Sequence, residues 1–454
     1  MKTARAIWDF LNKERSLAPA GKPRPKPTKR KKQRGVALVT VLIAIAITLV
    51  LTNQFGTTTN IDLFAAANYR DQMRAHFLAR SASNLGELVI RLQQRIDNIK
   101  QLNGVQLTEY ANQIMLAFCG SPEEVQAAVG FSSTTAKGLG ADIGTCGIDG
   151  QIGTEDDKIN LNCANNAAAA TTLKSALDAL VYFPSYDPVF EEADAEGWRR
   201  DRAQQVAALI DYIDSDSLRL RERGTQENDG YENLRDPYKP KNNYIDTIGE
   251  AKLARGVDDR FWTLFGSAFT VYGGCKTNVS ALSNSQLIAA ILYLSAKNDK
   301  DPILQDPKKL FALAGVIAKA KQFGVQFSTL DDFIDFVKDP AAEVGALAGQ
   351  SGSLQGSAAS AAVSRGIPGV TGGDKLKLEL DKQKLQTIAT AGPRRTYRVR
   401  AWGEIERKQK NADGAPVFPA IRATIDGVWD TKVVPQNIRK PPAPKGAWVY
   451  LRED

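Results

Sequence analysis

One histidine, His76, serves a sequence of 454 residues, and only four cysteines and three methionines accompany it. A second imidazole is needed for an H-E-x-x-H zinc helix, so that chemistry is excluded, and His76, set between Arg74 and Arg80, reads as a helix-face residue rather than a base. The cysteines, Cys119, Cys146, Cys163 and Cys275, include no C-x-x-C pair, which removes the usual structural zinc motifs. No Walker A sequence is present, and Gly349-Gln350-Ser351-Gly352-Ser353 misses the nucleophile-elbow spacing G-x-S-x-G. The chain therefore reads as a non-enzyme. A further absence is local: no charged side chain occurs from Gly35 to Ile61.

What fills that stretch is apolar. Residues 36–51 are hydrophobic save for Thr40 and Thr48, and they begin directly after the basic run Lys29, Arg30, Lys31, Lys32, Arg34. Roughly 20 helical residues cross the hydrocarbon of a bilayer, so 36–55 is long enough for a membrane anchor with a thinly apolar far end. A cleaved secretory signal would need a short head and a small-x-small site after the core, whereas here the head has 34 residues and Thr52-Asn53-Gln54-Phe55 follows the core. A plain signal anchor fits the hydropathy.

The formal net charge of +8 invites a nucleic-acid reading, but its location does not. Residues 1–34 carry twelve Lys and Arg against Asp9 and Glu14, a net of +10, so the remaining chain is about −2. Positive residues ahead of an apolar segment hold that end in the cytoplasm. The expected arrangement is a single-pass membrane protein with a cytoplasmic leader and everything from about residue 57 outside the cytoplasm, with no nucleic acid as partner. All four cysteines then lie on the oxidising side, where an even count is compatible with two disulfides or with four buried thiols. Three connectivities are open; the short loop favours Cys146 with Cys163, leaving Cys119 with Cys275.

Ile61, Phe64, Met73, Phe77, Leu85, Leu88, Leu92, Ile96 and Ile99 fall mostly at three- and four-residue steps, which predicts an amphipathic helix continuing the anchor, loosened at Gly56-Thr57-Thr58-Thr59. Near the end of the chain, Leu376, Leu378 and Leu380, then Tyr397, Val399 and Ala401, then Ile421, Ala423 and Ile425 alternate with polar residues, predicting antiparallel strands with a hairpin at Asn411-Ala412-Asp413-Gly414. The greasy face of these strands is expected to lie on the amphipathic helix. Between them the texture is helical at 173–182, 199–213, 247–254, 285–294, 308–323 and 329–337. Gly, Ala and Ser enrichment from Gly345 to Asp374 suggests a tether.

Arg34-Gly35-Val36-Ala37-Leu38-Val39-Thr40-Val41-Leu42 resembles the processing site of type IV pilins and type II secretion pseudopilins, whose leader is cut after the glycine and before the apolar core. Most of that superfamily carries Glu at the fifth mature position, where this chain has Thr40. The K class of minor pseudopilins also lacks the Glu. Four later patches resemble that class in order: Lys158-Ile159-Asn160-Leu161-Asn162 its first sheet strand, Ala208-Leu209-Ile210-Asp211-Tyr212-Ile213-Asp214-Ser215-Asp216 an acidic helix end, Tyr244-Ile245-Asp246-Thr247-Ile248-Gly249-Glu250 a turn and helix, and Phe269-Thr270-Val271-Tyr272 a closing segment.

The resemblance implies an α+β pseudopilin fold, with a long N-terminal helix packed on an antiparallel sheet and a large inserted helical domain. The expected division is a leader at 1–35, spine helix 36–104, first pseudopilin segment 105–163, inserted helical domain 164–345, linker 346–373 and C-terminal strands 374–454. It implies a minor pseudopilin at the tip of the type II secretion pseudopilus, with other minor pseudopilins, the pseudopilus, prepilin peptidase and the inner membrane as partners. A minor pilin of a type IV pilus tip and an unprocessed signal-anchored scaffold or binding protein are the alternatives. It also implies calcium in the inserted domain, carried onto Asp211, Asp214, Asp216 and Glu227, with Glu227, Asn228, Asp229 and Glu232 on a Gly-bearing loop; a solvated acidic loop explains the same residues. A second acidic stretch, Asp149-Gly150-Gln151-Ile152-Gly153-Thr154-Glu155-Asp156-Asp157, lacks EF-hand spacing and reads equally as a turn.

Overall fold

The structure is a computed structural model and describes residues 35–99, 106–129, 144–191, 193, 198, 201–221, 224–322, 325–340, 376–406, 419–434 and 446–454. The leader up to residue 34, the tether, Gly104 and the Asn411–Gly414 turn lie outside the described residues. The chain divides into two compact units, residues 1–69 and 70–454.

The described part of the first unit belongs to helix α1, Val36–Asp97. Its apolar start has a mean hydropathy of 2.5 over 18 residues and buries none of that window within the protein, as a membrane-spanning segment requires. The helix does not loosen at 56–59. The hydroxyls of Thr57, Thr58 and Thr59 donate to the carbonyls of Gln54, Gln54 and Phe55, so each polar side chain is satisfied inside its own helix. Thr40 does the same toward Val36 and Ala37.

In the second unit, residues 70–97 of α1 lie on a sheet formed by β1 (Thr145–Ile148), β2 (Gly153–Thr154), β7 (Thr396–Ile405), β8 (Ile421–Asp430) and β9 (Ala447–Glu453). Their order is β1-β7-β8-β9, with β2 also on β7, and every pairing is antiparallel. Tyr397, Val399, Ala401 and Ile405 point from β7 into the core, alternating with Arg398, Arg400, Trp402 and Glu404 as the two-residue period dictates. The helix meets the sheet through a different face from the one its large apolar residues mark. Ala75, Ala79, Ala82, Ser83, Gly86, Val89 and Ile90 are buried, while Phe77, Leu88 and Leu92 are exposed. Small residues win because the backbones touch: a Cβ on Gly403 of β7 would stand 2.3 Å from the Ala75 carbonyl oxygen.

The larger hydrophobic core belongs to the helices between. α4 (Ala167–Val181), α6 (Arg202–Asp211), α8 (Ser285–Ser295), α10 (Pro307–Gln322), α11 (Leu330–Lys338) and α12 (Lys382–Ile388) share one apolar cluster that includes Leu177, Leu209, Ile288, Leu313, Phe333 and Leu385. Each start carries its own signal. Asn166 and Asn284 accept from the second following amide, and Asp201 and Thr329 form capping boxes with Gln204 and Asp332. Residues 247–254 form a 3₁₀ helix, Ile248–Leu253, rather than an α-helix.

Two expected strands are corrected. Residues 158–162 do not enter the main sheet; Ile159–Asn160 (β3) pairs in parallel with Phe269–Thr270 (β4), and the main sheet's first strands are β1 and β2. Residues 376–380 make only a single bridge, Leu380 to Ala296, and Leu378 and Leu380 bury into the helical core. Alternation needs one greasy surface, and here helices supply it. Strand β9 was not expected, because Trp448, Val449, Tyr450 and Leu451 are apolar at both parities and carry no period-two signal.

Candidate metal centre

Helix α6 carries the first ligand to its place. Its capping box fixes the start, Val206, Leu209 and Ile210 bury one face, and the helix ends at Asp211. The chain turns through Asp214, doubles back with Leu218 bridged to Gln226, and enters a 3₁₀ helix at Glu227. One carboxylate oxygen each from Asp211, Asp214 and Glu227 lies within 4.8 Å of the other two. Asp211 and Glu227 are 6% and 2% exposed, which is rare for acids without a counter-charge.

Their polar partners are too few. The Leu220 amide donates to Asp211 Oδ1 at 3.0 Å, and Asn242 Nδ2 donates to Glu227 Oε2 at 2.7 Å. Asp214 Oδ1, Glu227 Oε1 and Asn242 Oδ1 are buried with no hydrogen-bond partner. Burial, then the repulsion of neighbouring acids, raises the carboxyl of Asp211 to about 7 and that of Glu227 to about 8; burial and Asp216 raise Asp214 to about 6. Three crowded carboxylates plus an orphaned amide oxygen fit a hard divalent cation, which takes six to eight oxygens in loose geometry. A cavity of about 60 Å³ bordered by Asp211, Glu227, Arg219 and Tyr231 adjoins them and has room for water ligands.

Asp216 is the exception among the four expected residues. Its carboxylate accepts from the Leu218 amide at 2.8 Å and closes the turn, so it contributes charge to the site but stands outside the group of three. Asp229 and Glu232 are exposed. Asn242 was missed. It lies 15 residues beyond Glu227 with no spacing rule to mark it, but its φ of 46° is the only positive φ at a non-glycine among the described residues.

The second acidic stretch is structural. Asp156 accepts from the backbone amides of Arg395 and Thr396, fixing the start of β7, and Asp157 accepts from Ser283 Oγ at 2.9 Å. Burial opposes ionisation of Glu155, but Lys158 and Arg398 more than offset it and hold its carboxyl below the usual range.

The disulfides differ from the expected pairing. Cys119 joins Cys146, and Cys163 joins Cys275. Loop length was a poor guide because Cys146 lies in β1, in the sheet core, whereas Cys163 belongs to the helical core. His76 lies on α1 with its Nε2 3.5 Å from the Glu453 carboxylate.

No protein-family model and no curated protein matches the chain. Among solved structures it is similar to a chain of the GspK-GspI-GspJ complex from the type 2 secretion system of enterotoxigenic Escherichia coli. The identity is 12%, the match covers 69% of this chain and 80% of that chain, and the TM-score is 0.38.

Proposed function

We propose that this chain is a K-class minor pseudopilin of a type II secretion system, anchored in the inner membrane and placed at the pseudopilus tip with other minor pseudopilins. The observation that carries the reading is the order of parts along one chain. A pilin-like processing junction at Gly35-Val36 opens a helix that is membrane-apolar at its start and lies on an antiparallel sheet at its end, and a large helical body interrupts that sheet between β2 and β7. The hydroxyl of Thr40, satisfied within its own helix, offers no negative charge to the amino terminus of a subunit ahead, which suits a subunit with nothing above it.

In this reading, calcium held by Asp211, Asp214 and Glu227, with Asn242 beside them, adds positive charge to that of the Arg219 guanidinium and fixes the loop from α6 to Asn242. The test is co-expression of the full chain with the remaining minor pseudopilins of the same secretion gene cluster, followed by detergent extraction and size exclusion. A stable complex containing this chain is expected. A chain that elutes alone, in the presence of partners that assemble with one another, overturns the assignment.

A further inference from the structure

The cavity of about 60 Å³ beside Asp211 and Glu227 has a second wall that the cation site leaves unused. That wall holds the guanidiniums of Arg219, Arg221 and Arg255, and the rest of the lining includes Ala207 and Ala208 of α6, and Gly230. The small residues keep the space open. A Cβ at Gly230 would stand 3.1 Å from Arg219 Nη2, so any larger residue displaces that guanidinium. Arg255 is fixed at both ends. Its amide donates to the Tyr231 hydroxyl at 3.1 Å, its Nη1 donates to the Gly230 carbonyl at 3.0 Å, and its head lies 5.6 Å from the centre of the Trp198 ring. Arg221 is paired with Asp201, and Arg219 acts on Asp211 through its charge.

We propose that this cavity takes the carboxylate of a single Asp or Glu side chain from a partner protein, and does so only with calcium held by Asp211, Asp214 and Glu227. The size follows from the volume. Room for about four waters admits a carboxylate with one or two methylenes and leaves the backbone that bears them outside. The sign follows from the charges. Ionised Asp211, Asp214 and Glu227 carry three negative charges against two on Arg219 and Arg255, so without a cation an incoming carboxylate is repelled. A divalent ion turns that balance to one positive charge, which one carboxylate cancels. Asp216 is exposed and engaged in its own turn. A guanidinium meets a carboxylate through paired N–H···O bonds, and calcium, with six to eight oxygens, has places left after three acids and Asn242. An apolar occupant fits poorly, since it strips water from charged groups and returns no hydrogen bond. The inference rests on the calcium reading of this site, and it adds what the site recognises.

The test uses the full chain in detergent and saturation-transfer NMR with acetyl-Gly-Asp-Gly-amide, its Asn counterpart and sodium acetate, each in calcium and in EDTA. Saturation of the aspartate methylene is expected in calcium, with none in EDTA and none of the Asn peptide. Arg219→Gln raises the Kd of the Asp peptide on the order of tenfold, the loss that one charge-assisted hydrogen bond gives. Ala208→Leu, which fills the space from α6, abolishes binding. Both variants keep the calcium-induced rise in thermal midpoint, because neither removes an oxygen ligand. Equal binding of the two peptides, binding that survives EDTA, binding of acetate without the Asp peptide, or a Kd that either substitution leaves unchanged each overturn the proposal. The midpoint separates the two readings: a chain that calcium stabilises but that takes no peptide sinks this inference alone, and a chain that calcium leaves unchanged sinks the calcium site along with it.

Discussion

Asp211, Asp214 and Glu227 are charges that the protein alone cannot settle, and their behaviour on substitution separates a cation site from a solvated loop. With a bound ion, millimolar calcium is expected to raise the thermal midpoint by several degrees, since saturation at about 100 times Kd stabilises by roughly 2.7 kcal/mol. Asp211→Asn removes that increment. Without calcium the same variant is as stable as the parent or more so, because it relieves buried repulsion. Equal calcium responses in parent and variant would contradict the site. Lys321 makes a second residue-scale prediction. Its ammonium donates to the carbonyls of Val279 and Ser280 inside the helical core, and burial, with Arg394 adding to it, lowers its pKa from 10.5 to about 7. The unfolded chain therefore binds more protons than the folded one between about pH 7 and 10.5. The cost is complete below pH 7, and stability is regained as pH rises through that window. Lys321→Met flattens the slope relative to the parent by about one proton, measured by urea unfolding at pH 7 and pH 10.

At the scale of elements, the contact between α1 and β7 depends on what is missing from the side chains. Gly403→Leu places a Cβ 2.3 Å from the Ala75 carbonyl oxygen and 2.5 Å from the Ala79 amide, so helix and strand must part. A loss of about 2–4 kcal/mol in chemical denaturation is expected. Gly315, inside α10 with nothing within 4 Å of an added Cβ, is the opposite case, and Gly315→Ala should gain about 0.5–1 kcal/mol. The same contact explains what the sequence could and could not convey. The helical periodicity of α1 was legible, but its large residues pointed to the wrong buried face, since Ala75, Ala79 and Gly86 carry little hydrophobic signal and matter through backbone approach. Strands β7 and β8 were legible from alternation at Tyr397 to Ala401 and Ile421 to Ile425. The alternation at Leu376, Leu378 and Leu380 was equally clean, yet it lies on helices, because period two reports a one-sided surface and not the partner that covers it. The acidic cluster was legible for three of its members. Asp216 and Asn242 were misjudged because the turn geometry that removes one and adds the other exists only after the loop has folded.

For the molecule as a whole, two cores, each with its own disulfide, follow one apolar helix start. In the proposed function that start has a cytoplasmic leader, is cut from it and resides in the membrane before assembly. The most direct measurement is the amino terminus of the full-length chain after incubation with prepilin peptidase in membranes, read by terminal sequencing or mass spectrometry. A new terminus at Val36, blocked in a Gly35→Leu variant, is the predicted result. An intact leader, or a cut elsewhere that Gly35→Leu leaves untouched, would contradict the account at its root.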